Sequence, residues 1–266
     1  MKADSEARTS GEAAAAFPPG TFRPSPGRAH PLRMLAAHTR TEAILTLRHG
    51  EQALLTLIIP LGLLIGASTL LPGAVDAIVP RILALAVMST AFTGQAIALG
   101  FDRRYGVIKR LSATALPRWV LISGRVLATL IVVALQAIVL GITAVLLGWA
   151  PPAGGLLLSI PLLVLGTVTF GAAGVLVGGI LRAEIVLALA NAIWFVLLLA
   201  GGLAVPPEEL PGAVGILARF LPSGALAEAL QAVLTSGQPP GLQPVLVLLV
   251  WGAAAGGLAS RTTRPT

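Results

Sequence analysis

The chain has 266 residues, of which 56% are hydrophobic and only 11% are charged, and its formal net charge is +7. Soluble domains usually carry about 25% charged residues, so this composition argues against a soluble protein and for an integral membrane protein. There is no cysteine, which excludes disulfides and thiolate metal or redox sites. The positive charges cluster beside apolar runs, which indicates a topology bias and argues against nucleic acid as a partner.

The first 30 residues are rich in Pro, Gly and Ala, and their one apolar run, 13–17, is too short for a signal-peptide core. We expect residues 1–30 to form a disordered cytoplasmic tail. Residues 31–51 mix leucines and isoleucines with Arg33, Arg40 and Arg48. This pattern predicts a helix in the inner membrane interface, with its arginines toward lipid headgroups. An ordinary solvated helix leading into a span is the alternative.

Six apolar runs are long enough to cross a hydrocarbon core of roughly 30 Å as helices. They predict an all-α membrane domain over 31–260, with spans at 52–71, 82–101, 126–148, 155–180, 185–205 and 242–260. With the N-terminus inside, 16 of the 18 Lys and Arg lie in inner segments, and only Arg81 and Arg219 lie outside. The positive-inside rule therefore predicts a multi-pass protein with both termini cytoplasmic, including the tail 261–266. The richness in Arg, Ala, Gly and Pro is typical of a GC-rich bacterial genome and hence of a bacterial cell membrane.

Two short helical patterns occupy the long link between the fifth and sixth spans, 206–241. Neither is long enough to span the membrane. We expect a pair of short helices dipping into the outer leaflet, and an outer loop packed on the bundle is the alternative.

A basic segment, 101–119, separates the second and third spans. Treated as one helix, 101–112 has an apolar stripe of Phe101, Tyr105, Ile108 and Leu111 or Ser112. Its charges project elsewhere, and Pro117 ends it. A loop needed only for topology would require the charges but not the stripe, so the pattern favours a docking element.

Polar and small residues within the spans suggest contacts between helices or a substrate path. Gln95, Gln136 and Asn191 could do either. Three Gly-x-x-x-Gly pairs begin at Gly62, Gly174 and Gly252 and allow close helix approach. In a chain with 30 glycines they are weak evidence for a dimer face.

The segment FDRRYGVIKRLSATALPRWVLISGRVL resembles the loop between the second and third spans of type-2 ATP-binding-cassette (ABC) exporter permeases, of the multidrug or antibiotic type. The shared features are an acidic residue, a basic run, a Lys-Arg-Leu core, a small-residue stretch, a proline and a basic start to the next span. Here they are Asp102, Arg103–Arg104, Lys109–Leu111, Ala113–Ala115, Pro117 and Arg125. The resemblance covers about residues 32–260, including LARFLPSGALAEALQAVL at 217–234. The family often has Glu where this chain has Asp102.

The resemblance implies that the segment is a coupling helix, which docks in a cytoplasmic ATPase and passes its closure to the spans. The residues that it assigns to contact with the ATPase are Asp102, Arg103, Tyr105, Gly106, Lys109, Arg110 and Leu111. It further implies a second permease, identical or related, and ATP with magnesium in the partner ATPase. The substrate would be apolar or amphipathic, such as a drug or a lipid, and would move out of the cytoplasm.

Catalytic motifs are missing from the chain. Neither Lys2 nor Lys109 follows a glycine as a Walker A lysine does, and HExxH, GxSxG and clustered Asp are absent. We therefore expect no enzyme activity, no metal and no cofactor in this chain. A secondary carrier or channel is the first alternative, although it would favour a charged group within the membrane. A non-transport membrane scaffold is the second.

Overall fold

The computed structural model describes residues 30–48, 50–71, 73–114, 116–205, 209 and 211–262, without the side chains of 50–55, 112 and 118. Every regular element among them is helical. Of the two predicted tails, 1–30 and 261–266, all but His30, Arg261 and Thr262 lie outside the described residues.

The elements follow the predicted order along the chain. They are α1 (Pro31–Arg48), α2 (Gly50–Leu70), α3 (Val75–Val87), a π-helical segment (Met88–Gly94), α4 (Gln95–Arg104), α5 (Val107–Ser112), α6 (Arg118–Leu146), α7 (Ala153–Ile180), α8 (Ala183–Ala200), α9 (Gly212–Phe220), α10 (Pro222–Ser236) and α11 (Leu242–Thr262). The α3, π and α4 segments form one long helix, Val75–Arg104, which is the second predicted span.

Five helices within the described residues are long and apolar enough to cross a membrane, which confirms an all-α integral membrane protein. They are the second span and helices α6, α7, α8 and α11. The first predicted span is helix α2, of which Thr56–Leu70 is an apolar stretch. Helices α9 and α10 meet at 82° and would make a sixth span if they counted as one broken crossing. The pair of short helices predicted from the link is therefore present.

The second span is the central helix of the bundle. Of its most apolar 18-residue window 56% is buried, against 17% to 33% for the other four. It packs against α2, α6, α7, α8 and α10. Met88 and Phe92 are buried in the same core cluster as Phe170 of α7 and Leu226 of α10. A movement of this helix would therefore reach most of the bundle.

Close packing of α7 on the second span depends on two glycines. A Cβ at Gly174 would lie 2.6 Å from the carbonyl oxygen of Phe92, and one at Gly178 would lie 2.4 Å from that of Ala96. Gly252 of α11 likewise faces Thr169 of α7 within the chain. These two glycine pairs therefore give the predicted close helix approach within the chain. A Cβ at Gly62 or Gly66 would meet nothing within 4 Å.

Substitution of Gly178 by Ala is expected to destabilise the fold by about 1–3 kcal/mol, because the new methyl group overlaps a backbone carbonyl that cannot rotate away. Gly171→Ala, in the same helix, is the matched control, since its Cβ would meet nothing within 4 Å. Thermal melting of the two variants in detergent measures the difference. Equal melting temperatures would contradict the packing of α7 described above.

Candidate functional site

The basic segment is two helices joined by a turn, and the prediction of one continuous helix over 101–112 is wrong. Helix α4 ends at Arg104, and Gly106 takes the left-handed conformation with φ +67° before α5 begins at Val107. The Gly106 N–H donates to the Arg103 carbonyl at 3.2 Å, which closes the end of α4. Glycine adopts this conformation without the steric cost that a Cβ brings. The turn separates Phe101 from Ile108 and so divides the predicted apolar stripe.

Asp102–Arg104, at the end of α4, form the base of the basic segment. Arg125, near the start of α6, holds this base and helix α1 in place. Its guanidinium pairs with the carboxylate of Asp102 at the end of α4, and its Nε lies 3.7 Å from Glu42 Oε2 of α1. The three side chains are only 20% to 26% exposed. One cation thus neutralises two carboxylates, and it ties α1, α4 and α6 together at one end of the bundle. We call this end, which carries Arg103, Arg104 and Arg125, the basic end.

Arg103 and Arg104 tie the same turn of α4 to the connection between α7 and α8. Arg103 donates to the carbonyl oxygens of Gly178 at 3.1 Å and Leu181 at 3.3 Å. The Arg104 guanidinium pairs with Glu184, in the first turn of α8. The Leu181 and Gly178 carbonyls are acceptors that the end of helix α7 leaves free, so a cation is well placed beside them. The end of the second span is therefore held to α8 as well as to α1 and α6.

The tip of the basic segment, Tyr105–Leu111, has three exposed side chains. Tyr105 is 64% exposed, and Lys109 and Arg110 are exposed as well. Arg110 Nη2 donates to the carbonyl of Tyr105 at 3.2 Å and so folds α5 back on the turn. The Tyr105 ring stacks on Phe101, and Leu111 is half-buried. The tip thus offers a tyrosine and an arginine, two residue types enriched at protein interfaces, beside a lysine.

A layer of polar side chains joins the second span to neighbouring helices. It lies further along the span than the basic end, toward the chain start. Thr90 donates to Gln136 Oε1 at 2.8 Å, and Gln136 Nε2 donates to the Thr56 carbonyl at 3.2 Å. Gln95 Nε2 donates to the Thr129 hydroxyl, and Trp194 Nε1 of α8 donates to Ser89 at 2.9 Å. The layer lies on and beside the π-helical segment, a feature frequent at functional sites. Gln95 and Gln136 are therefore placed in contacts between helices.

Comparison with known families decides the class of protein. The family model described as ABC-2 type transporter matches residues 34–235, which is most of the chain. The chain belongs to the ABC-2 type transporter family. It is thus the membrane permease of an ABC transporter, and the match runs from α1 through the basic segment to the end of α10. A search of curated proteins found no match to the chain.

The seven residues assigned to ATPase contact in this ABC-2 permease differ in their surroundings. Asp102 and Arg103 contact other parts of the chain, Gly106 forms the turn, and Tyr105, Lys109 and Arg110 are exposed. Leu111 is half-buried, as Asp102 and Gly106 are. Contact with an ATPase stays a prediction for all seven.

Asn191 differs from the other polar side chains of the ABC-2 permease because it is exposed on α8. Its Nδ2 donates to the Leu187 carbonyl of its own helix at 2.9 Å. Leu187 and Phe195, a turn away on either side, are exposed too. A lipid-facing amide is costly, so this face of α8 is a candidate for contact with a second permease or with substrate.

Several residues of the site escaped the sequence-based analysis. Glu42, Glu184 and the π-helical segment had not been connected with the basic segment, and Arg104 had been noted only as part of its basic run. The turn at Gly106 had a signal, because a glycine after a basic last turn is typical of a helix end. Among the described residues, no three His, Asp or Glu side chains come close enough together to hold a metal ion.

Proposed function

We propose that the chain is the permease subunit of an ATP-driven exporter and that a separate ATPase subunit drives it through the tip Tyr105–Leu111. The observation that carries this proposal is the division of the basic segment. Its tip is exposed, while its base is bonded to α1, α6, α7 and α8. A force applied at the tip would therefore move the central helix and four neighbours together.

The proposed mechanism rests on the polar contacts that join the basic segment to the spans. Closure of the ATPase pulls on Tyr105, Lys109 and Arg110. Asp102, through Arg125, passes the movement to α6 and α1, and Arg103 and Arg104 pass it to the start of α8. The polar layer at Gln95 and Gln136 carries the movement into the membrane. ATP and magnesium belong to the partner ATPase in this mechanism.

Two permeases working as a pair form the transport path in this proposal. The exposed Asn191 on α8 and the open Gly62 and Gly66 on α2 support it, because both are surfaces that a second permease could cover. The apolar spans favour an apolar or amphipathic substrate such as a drug or a lipid. Resistance to an antibiotic is one role that such export would have.

The basic end faces the cytoplasm in this proposal, and the protein lies in a bacterial cell membrane. The distribution of Lys and Arg supports this orientation, with both termini inside. The ATPase then meets the tip from the compartment that contains ATP.

Affinity purification of the tagged protein from its native host, in mild detergent, tests the proposal. We expect a stoichiometric soluble protein with a Walker A loop to accompany the wild type, as mass spectrometry would show. Recovery of intact permease without any ATPase would contradict the proposal. A response of transport to an ion gradient, and not to ATP, would then indicate a secondary carrier.

A further inference from the structure

The backbone hydrogen bonds of the second span change their spacing at the end of its π-helical segment, Met88–Gly94. In an α-helix, the Ala91 carbonyl would accept from the Gln95 N–H, four residues on. In the structure, the Gln95 N–H donates instead to the Phe92 carbonyl, three residues back. Wide π turns are thus followed at once by one tight turn. Long helices bend at breaks of this kind.

Helix α7 leaves room for the carbonyl groups at this break. Gly174 lies against them, and a Cβ there would come within 2.6 Å of the Phe92 oxygen and 3.0 Å of the Ala91 oxygen. Any side chain at this position would therefore meet the backbone of the irregular turn. The glycine lets both carbonyls tilt out of the line of the helix.

Two polar side chains at the break lack hydrogen bonds. The Thr93 Oγ1 and the Gln95 Oε1 are both buried and have no partner among the described residues. Threonines in regular helices behave differently, since Thr143 and Thr167 donate to carbonyls four residues back at 3.0 and 2.7 Å. Buried polar atoms without partners are unfavourable, so the surrounding helices must hold this arrangement. A second arrangement that paired these two atoms would cost less than the break itself suggests.

The two halves of the second span are held by different means. Nine of the 13 residues of α3 are buried, against three of the 10 residues of α4. Helix α4 is bonded instead to the basic end, through its base Asp102–Arg104. Its first residue, Gln95, is bonded there too, because Thr129 accepts from it and donates to the Arg125 carbonyl at 3.0 Å. Helix α4 is therefore joined to the basic end at both of its ends, while α3 is fixed in the core.

We propose that Met88–Gly94 is a hinge, at which α4 tilts together with the basic end while α3 stays in place. The irregular turn absorbs the tilt because its hydrogen bonds can change partners within one residue. Thr93 and Gln95 pair in the tilted state. The ATPase as the source of the pull rests on the proposed function, whereas the hinge is a property of this chain alone.

Hydrogen–deuterium exchange of the purified full chain in detergent, without the ATPase, tests the hinge. We expect the amides of Met88–Gly94 to exchange about tenfold faster than those of Ile82–Val87, as for one weakened hydrogen bond. Both stretches belong to the same span, and Ile82–Val87 is wholly buried. Equal exchange rates in the two stretches would overturn the proposal.

Deletion of Thr93 removes the irregularity without turning α4. A π turn holds one residue more than an α turn, so the shortened segment closes as a regular helix between unmoved neighbours. We expect this variant to keep the melting temperature of the wild type and to lose the fast exchange. Deletion of Ala98, exposed in the regular part of the span, is the matched control. It turns the end of α4 by roughly 100° and is expected to lower the melting temperature. Equal destabilisation by the two deletions would contradict the hinge.

Transport by the Thr93 deletion variant, in complex with its ATPase, tests what the hinge does. We expect ATP hydrolysis to continue and transport per ATP to fall about tenfold, because α4 can no longer tilt on α3. A ratio equal to that of the wild type would overturn the proposal. Absence of ATP-driven transport in the wild type would contradict the proposed function instead, and the exchange rates would then decide the hinge by themselves.

Discussion

Replacement of Tyr105 by Asp is expected to abolish coupled transport while the protein still inserts and folds. The ring is 64% exposed, so a carboxylate there costs little in the isolated permease. In contact with an ATPase, the change removes an aromatic anchor and introduces a buried charge. Loss of such an anchor typically costs about 2 kcal/mol or more, which weakens binding of the ATPase about 30-fold. Transport of a fluorescent amphipathic substrate into inverted vesicles, with ATP, measures the loss.

Leu111→Asp is expected to have the same effect, because it brings the same charge to the other end of the tip. Thr41→Asp is the control, since Thr41 is exposed on α1 and lies outside the basic segment. We expect the control to transport normally. Normal transport by both the Tyr105→Asp and Leu111→Asp variants would exclude the tip as the coupling element.

Replacement of Arg125 by Gln is expected to lower the free energy of unfolding by about 1–3 kcal/mol, between the values for exposed and fully buried ion pairs. The substitution leaves Asp102 and Glu42 without their shared cation, and both are mostly buried. Since α1 and the base of the segment lose their connection, we also expect ATP hydrolysis by the bound ATPase to continue without transport. Melting in detergent and the ratio of transport to ATP hydrolysis measure the two effects.

A double substitution separates the Asp102–Arg125 contact from general damage. Asp102→Asn removes one of the two uncompensated charges, so in the Arg125→Gln background it is expected to cost less than it does alone. The difference is the interaction energy of the pair, of about 0.5–3 kcal/mol for residues in contact. Strictly additive losses would show that the pair contributes nothing to stability.

The sequence predicts the helices well because each one depends on features that are local in the chain, namely the length of an apolar run and the charges beside it. The predicted spans 155–180 and 242–260 lie within helices Ala153–Ile180 and Leu242–Thr262. The second span extends seven residues further toward the chain start than predicted, because Pro80 and Arg81 continue the helix. The short pair α9 and α10 follows from two apolar patterns around Pro222.

The site was harder to predict because its contacts join residues that are far apart along the chain. Nothing local in Glu42 or Glu184 indicates that they pair with Arg125 and Arg104. The charged side chains of 101–112 were all predicted to project away from the apolar stripe. In the structure, Asp102, Arg103 and Arg104 bind other parts of the chain. The turn at Gly106 was predictable in principle, because one glycine after a helix commonly ends it.

Site-specific cross-linking tests the central claim most directly, because the chain has no cysteine and a single introduced thiol is unique. A photoactivatable cross-linker would be attached to Lys109→Cys in the complex with its ATPase, and to Thr41→Cys as the control. We predict that Lys109→Cys gives a covalent permease–ATPase adduct whose yield changes when ATP binds, and that Thr41→Cys gives none. An adduct from Thr41→Cys, with none from Lys109→Cys in an intact complex, would contradict the account.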